Sequence, residues 1–312
     1  MKNASPFSRV DKKKENDMQD TILTSLLFVP GDSEKKMAKA QSSHASALIL
    51  DLEDSVSAAR TEVARTMVRE FLQARQDRSR QQLWVRINPL TTAMALADLV
   101  GIVAGAPDGI LLPKVESAQD VLLLDHYLSA LEQREGVPPG HVRIIPVTTE
   151  TPSAMFALNT YKGASSRLLG LTWGAEDLST AIGASTNRVE SGEYEFTYQL
   201  ARSLCLVGAH AAGLQAIETI TANFRDQDLL LREVRASRRA GFTGKIAIHP
   251  DQIDTINAGF SPDEAEVAHA HAVVMAFDKA NGAGTAQLDG KMLDKPHLTQ
   301  ALRLLSVAQS NR

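Results

Sequence analysis

From Leu23 onward the hydrophobic positions fall into two alternating textures. Short, nearly continuous apolar runs are each followed by a longer stretch with apolar residues at helical spacing. The runs are SLLFVP (25–30), ALILDLE (47–53), LWVRIN (83–88), GILLPK (109–114), RIIPVTTE (143–150), LLGLTWG (168–174), LQAIETI (214–220) and KIAIHP (245–250). A run that is apolar at consecutive positions reads as a strand covered on both faces. Strands alternating with helices read as parallel βα units. Eight such units predict a closed (β/α)8 TIM barrel. A doubly wound open sheet is the alternative, but no G-x-G-x-x-G follows the first run.

Helix starts fit this division. Ser33 is placed to cap EKKMAKAQ. Pro152 suits the first turn of a helix through PSAMFAL. Ser261, with Pro262 next and Glu264 three residues on, reads as a capping box for the helix after the eighth strand. Residues 22–280 are therefore expected to form the barrel, and 281–312 a C-terminal helical arm behind a Gly-containing hinge. The arm's Met292, Leu293, Leu298, Leu302 and Leu305 need burial, either on their own barrel or on a neighbouring subunit. Residues 1–21 are polar and charged and read as a mobile tail. No internal repeat is evident.

Composition narrows the function classes. The chain has 312 residues, 44% of them hydrophobic, and a formal net charge of −4. Lys and Arg are dispersed, which argues against nucleic acid as a partner. No run of about 18 apolar residues predicts a membrane span, and the N-terminus lacks the apolar core of a secretory signal. Cys205 stands alone between Leu204 and Leu206, as expected of a core residue in a reducing cytoplasm.

The candidate chemistry lies where the runs end, since barrel enzymes build their sites at the C-terminal ends of the strands. There the sequence places Asp51, Glu53 and Asp54, then Arg86 and Asn88, Lys114 and Glu116, Glu150, Glu176 and Asp177, Glu218 and His249. Singly, each reads as a cap or an ion-pair partner. Together, converging acids would repel one another without a cation among them. All-oxygen donors select a hard cation such as Mg²⁺, and the lack of Cys at these ends argues against zinc. Arg86, inside an apolar strand, needs a carboxylate. It could take one from Glu53 or Asp54 as a bidentate salt bridge, or from a substrate.

These same segments resemble a known family. SLLFVPG, ALILDLEDSV…AR, VRIN, GILLPKVES, ETP, WGAEDL, GFTGKIAIHPDQI and GKMLDKPH are similar, in order, to motifs of the CitE-like acyl-CoA lyases. That group, in the HpcH/HpaI aldolase superfamily, holds citrate lyase beta subunits, malyl-CoA lyases and citramalyl-CoA lyases. The resemblance runs from Ser25 to about Leu305. It implies a (β/α)8 barrel and Mg²⁺ held by Glu150 and Asp177, with Glu176 in a supporting or capping role. It implies that Arg86 binds the carboxylate of an α-keto-acid portion, with Glu53 and Asp54 orienting Arg86 and metal-bound water. Asp294 would be delivered to a neighbouring subunit's site as acid/base, in a homotrimer or a multiple of one. CoA would lie across the barrel mouth, where Lys35, Lys36 and Lys39 could reach its phosphates or simply form a solvated helix face.

Three positions depart from the family pattern: Thr24 for arginine, Thr61 for lysine and Glu218–Thr219 for Asp-Thr. They bear on substrate identity and CoA contacts. The expected reaction is Mg²⁺-dependent C–C cleavage of a 3-hydroxy-acyl-CoA, with (S)-citramalyl-CoA giving pyruvate and acetyl-CoA as the leading substrate. Citryl-CoA or malyl-CoA cleavage, a CoA-independent hydroxy-keto-acid aldolase, and a non-catalytic binding subunit are the alternatives.

Overall fold

A computed structural model describes residues 22–280 and 284–310. The expected N-terminal tail and the Gly-containing hinge at 281–283 lie outside the described residues. The chain divides into two compact units, one ending at Ile256 and the other beginning at Asn257.

The first unit is built on eight parallel strands: β1 (Ser25–Pro30), β2 (Ala47–Asp51), β3 (Gln82–Arg86), β4 (Gly109–Leu112), β5 (Arg143–Pro146), β6 (Gly170–Leu171), β7 (Gln215–Glu218) and β8 (Gly244–Ala247). Their order is β5-β4-β3-β2-β1-β8-β7-β6. Isolated parallel bridges Ile144↔Leu168 and Val147↔Thr172 join β5 to β6 and bring the sheet round into the expected (β/α)8 TIM barrel. The strands are shorter than the apolar runs. The run at 168–174 contributes only a two-residue strand, Gly170–Leu171, flanked by the isolated bridges at Leu168 and Thr172.

Apolar side chains from successive strands fill the interior, among them Leu26, Ile49, Trp84, Leu111, Ile145, Ile217 and Ile246. Trp84 fits because its neighbour in register is Gly109. A Cβ on Gly109 would stand 2.3 Å from the indole ring, so these two positions must change together. Cys205 is fully buried, and burial pushes its thiol up to about 12, consistent with an inert core residue.

Three local expectations differ from the structure. PSAMFAL forms two 3₁₀ turns, Ala154–Phe156 and Leu158–Thr160, rather than an α-helix. Ser33 occupies the N-cap of Glu34–Gln41, but its side chain makes no capping bond. The helix after β8, Glu264–Lys279, is capped by Asp263 with Glu266 as the reciprocal partner, not by Ser261 with Glu264. Both patterns satisfy the same spacing, and Asp263 is simply two residues further on.

In the second unit that helix packs against a hairpin, β9 (Thr285–Leu288) and β10 (Lys291–Asp294), and against the helix Lys295–Ser310. The arm therefore carries two strands that the helical reading did not include. Ala270, Val273, Phe277, Ala286, Leu293 and Ala301 form its core. Leu298 and Leu305 pack partly against that core, whereas Met292 and Leu302 are 76% and 52% exposed. No helix among the described residues is long and apolar enough to cross a membrane.

Candidate active site

The C-terminal ends of the strands surround a cavity of about 410 Å³. Its wall is divided. Phe28, Leu111, Val147, Trp173, Ile220 and Ile246 supply an apolar side, while Asp51, Asp54, Arg86, Glu150, Glu176 and Asp177 supply the polar one.

Arg86 ends β3, and Asp51 ends β2 directly opposite it in register. The guanidinium donates from Nε to Asp51 Oδ1 at 2.7 Å and from Nη2 to Asp51 Oδ2 at 2.8 Å. The bidentate partner is therefore Asp51, not Glu53 or Asp54 as expected. Those two meet the remaining Nη1, at 3.0 and 3.3 Å. Phe28 closes one face of the guanidinium, 4.5 Å from its ring centroid. Burial alone would raise the pKa of Asp51, but hydrogen bonds and charge from Arg86 outweigh it and hold the carboxyl low. Asp51 also accepts the Glu53 and Ser55 amides at 3.0 and 3.1 Å, which turns the LED segment over the barrel rim.

Lys114 was legible only as one more polar strand end, yet it is the centre of the cluster. Its backbone N–H donates to Glu150 Oε2 at 2.6 Å. Its ammonium donates to Glu53 Oε1 at 2.7 Å and lies 3.3 Å from Asp177 and 3.7 Å from Asp54. The residue adopts φ +52, a left-handed conformation that costs a non-glycine residue of order 1–3 kcal/mol. That conformation turns its amide to Glu150 while the side chain reaches the other acids.

Glu150 is only 7% exposed. Burial raises its pKa first; the Lys114 amide works against this, but the Asp177 and Glu53 charges add to it, and the carboxyl reaches about 8. Glu53 is likewise raised by burial despite Arg86 and Lys114. Gly174 makes room for Glu150, since a Cβ there would stand 3.0 Å from Glu150 Oε1. Asp177 lies on the first turn of the helix Glu176–Ala181 and lines the cavity. Glu176 lines it too, and its carboxylate accepts a 2.6 Å bond from Asn187.

Glu150 and Asp177 thus place two carboxyl groups beside open space, with the Asp177 charge helping to hold the proton on Glu150 until a cation takes its place. This fits Mg²⁺, which binds through one or two carboxylates and keeps its other positions for water and substrate. Among the described residues no three Asp, Glu, His or Cys side chains form a ready-made metal cage.

Other strand-end residues do different work. Asn88 holds Asp98 and the Leu52 carbonyl. Glu116 offers its amide to Asp120 within a helix cap. Glu218 accepts from Trp173, Arg202 and Ser237 at 2.6 to 2.7 Å, so it steadies the indole that walls the cavity. His249 stacks on Phe224 with centroids 4.5 Å apart. Thr24 precedes β1, at the opposite end of that strand from the cavity, and Thr61 caps carbonyls of Ser57 and Ala58. Lys35, Lys36 and Lys39 are exposed. Asp294, in the second unit, ends β10 half-exposed and hydrogen-bonds His297.

A model of the HpcH/HpaI aldolase/citrate lyase family matches residues 24–250. The chain belongs to that family, and it is a carbon–carbon lyase. It is 33% identical over 288 residues to the citrate lyase subunit beta of Haemophilus influenzae, covering 92% of this chain and 97% of that one. It is 32% identical over 289 residues to a (3S)-malyl-CoA thioesterase of Cereibacter sphaeroides, covering 92% and 94%. Its fold superposes with a TM-score of 0.77 and 31% identity on CitE from Mycobacterium tuberculosis in complex with magnesium, acetoacetate and coenzyme A, covering 93% and 99%.

Proposed function

We propose that this chain is a Mg²⁺-dependent lyase that cleaves a 3-hydroxy-acyl-CoA bearing a single carboxylate, with (S)-citramalyl-CoA, split to pyruvate and acetyl-CoA, as its best-matched substrate. The observation that carries the choice is the cavity wall. Arg86 is the one cation among the residues that line it, the Lys114 ammonium being tied to Glu53, Asp54 and Asp177, and apolar groups line the other side. A keto-acid portion with one carboxylate and a methyl group matches that wall. The second carboxylate of a citryl substrate would meet Leu111, Val147 or Ile246 unpaired, which is costly.

In this reading Glu150 and Asp177 hold the metal. Bound Mg²⁺ would supply a Lewis acid and template for the substrate carboxylate and hydroxyl. Asp51 holds the Nε/Nη2 edge of the guanidinium in a fixed orientation, and a substrate carboxylate would take Nη1 in place of Glu53 and Asp54, which meet it now. Lys114 holds Glu53 in place and opposes the rise that burial gives its carboxyl. Glu53 and Asp54 order the solvent around the reacting hydroxyl. Asp294 Oδ1, brought by a neighbouring subunit of a homo-oligomer, takes the proton of the substrate hydroxyl as the C–C bond breaks and returns it to the acetyl-CoA carbon. Acyl-CoA is thus the small-molecule partner, with its CoA portion across the barrel mouth.

The test is a panel of citramalyl-, malyl- and citryl-CoA with Mg²⁺, following keto-acid release and, separately, free CoA thiol. Pyruvate formed fastest from citramalyl-CoA supports the reading. Thiol release without keto acid would instead make the chain a thioesterase, and citryl-CoA as the best substrate would refute the single-carboxylate argument.

A further inference from the structure

At the N-terminal ends of β5, β6 and β7 lies a second cavity, of about 440 Å³, lined in part by Arg143, Tyr161, Ser166 and Leu214. Two arginines meet near it and are treated differently. Arg167 is 4% exposed and fully matched, with Asp125 at 2.6 Å and Glu132 at 2.7 Å. Arg143 has only backbone partners: Nε donates to the Arg167 carbonyl at 3.1 Å and Nη2 to that of Leu168 at 3.3 Å. Among the described residues no carboxylate pairs with it, and its Nη1 makes no hydrogen bond. Burial, then the Arg167 charge, depresses its pKa, the mark of a cation without its counter-charge.

The rest of the lining adds donors and no competitor. It contains no acidic side chain. Ser166 is exposed with an uncommitted hydroxyl. A partly buried guanidinium normally has a counter-charge, so an Arg143 without one on the wall of a cavity asks for an anion. We infer that this cavity is an anion site for an oxyanion of the phosphate class, held by Arg143 Nη1 with Ser166, with room beside it for the small molecule that carries the phosphate. It is distinct from the cavity at the C-terminal ends of the strands, and its occupancy would order the turn that leads into β6.

The probe is inorganic phosphate, compared with chloride at equal ionic strength. Phosphate should raise the melting temperature of the metal-free protein saturably, by roughly 2–4 °C at about ten times its dissociation constant. Arg143→Gln should melt normally in chloride, keep its lyase activity and lose the phosphate shift, while Arg86→Lys keeps it. Crystals soaked in selenate should show anomalous density between Arg143 and Ser166. Equal shifts in the wild type and Arg143→Gln would overturn the inference, and so would selenate found only at the C-terminal cavity. If Arg143→Gln does not fold, the selenate position decides alone.

Discussion

Arg86 and Arg167 are both arginines buried among acids at opposite ends of the barrel strands, and their acids behave in opposite ways. Around Arg167, burial would raise Asp125 and Glu132, but hydrogen bonds from Ser165, Arg167, Val142 and Gly140 outweigh it and both carboxyls are held low. Every carboxylate there is capped, so that network is finished. Around Arg86, Asp51 alone is held low, while burial leaves Glu53 and Glu150 raised. Among the described residues Asp51, Glu53, Asp54 and Asp177 share the cations Arg86 and Lys114, and Glu150, which accepts the Lys114 amide, makes no ion pair. A closed network fixes a fold; one with surplus buried negative charge is built to receive a cation.

The comparison breaks most sharply at the metal pair. Glu150→Ala or Asp177→Ala should lower keto-acid release by roughly 10³-fold or more, since each removes a charge from the metal position, without lowering the melting temperature of the metal-free protein. Arg167→Ala should do the reverse. It leaves Glu132 buried and uncompensated, so it should cost about 3–5 kcal/mol of stability by denaturant titration, with turnover per folded molecule unchanged. Arg86→Lys keeps the charge but loses the fork. Turnover should fall by roughly 10²-fold, the scale of a misplaced substrate; an early-melting variant with normal turnover would make Arg86 a second Arg167.

The raised Glu150 carboxyl gives a pH signature of opposite sign to that of Asp125 and Glu132. A carboxyl whose folded pKa, about 8, exceeds its unfolded value binds protons preferentially in the folded state. Its contribution is full below the unfolded value, near 4.5, and is lost as pH rises toward 8. Metal-free protein should therefore lose stability from this group over that window, and Glu150→Gln should flatten the loss. Asp125 and Glu132, held low, contribute stability above the ordinary carboxylate range that is lost on acidification. The smallest effect belongs to Glu176→Gln: its side chain accepts from Asn187, so turnover should change by only a few-fold.

Much of this was legible in the chain because periodicity reports burial. Eight apolar runs located the eight strands, and the position of the acids at their ends located the site. What stayed hidden depends on register and conformation. Asp51 pairs with Arg86 because two strand ends coincide, which run boundaries do not state. Lys114 became the hub through a left-handed backbone that no glycine announces. Glu218 and Asn88 looked equivalent to Glu150 in sequence, but inward and lateral neighbours had already claimed them. In the arm, TAQLDGKMLD alternates too briefly to stand out as a hairpin, although Asp289–Gly290 marks its turn with two positive φ angles.

The most direct measurement is a calorimetric titration of metal-free protein with Mg²⁺, or with Mn²⁺ as its spectroscopic substitute, in wild type, Glu150→Gln and Asp177→Asn. One ion per chain in the wild type, with affinity at least tenfold weaker in each variant and unchanged in Glu176→Gln, is the predicted result. Equal affinity in wild type, Glu150→Gln and Asp177→Asn would contradict the account, because the surplus charge at the strand ends would then have no cation to receive.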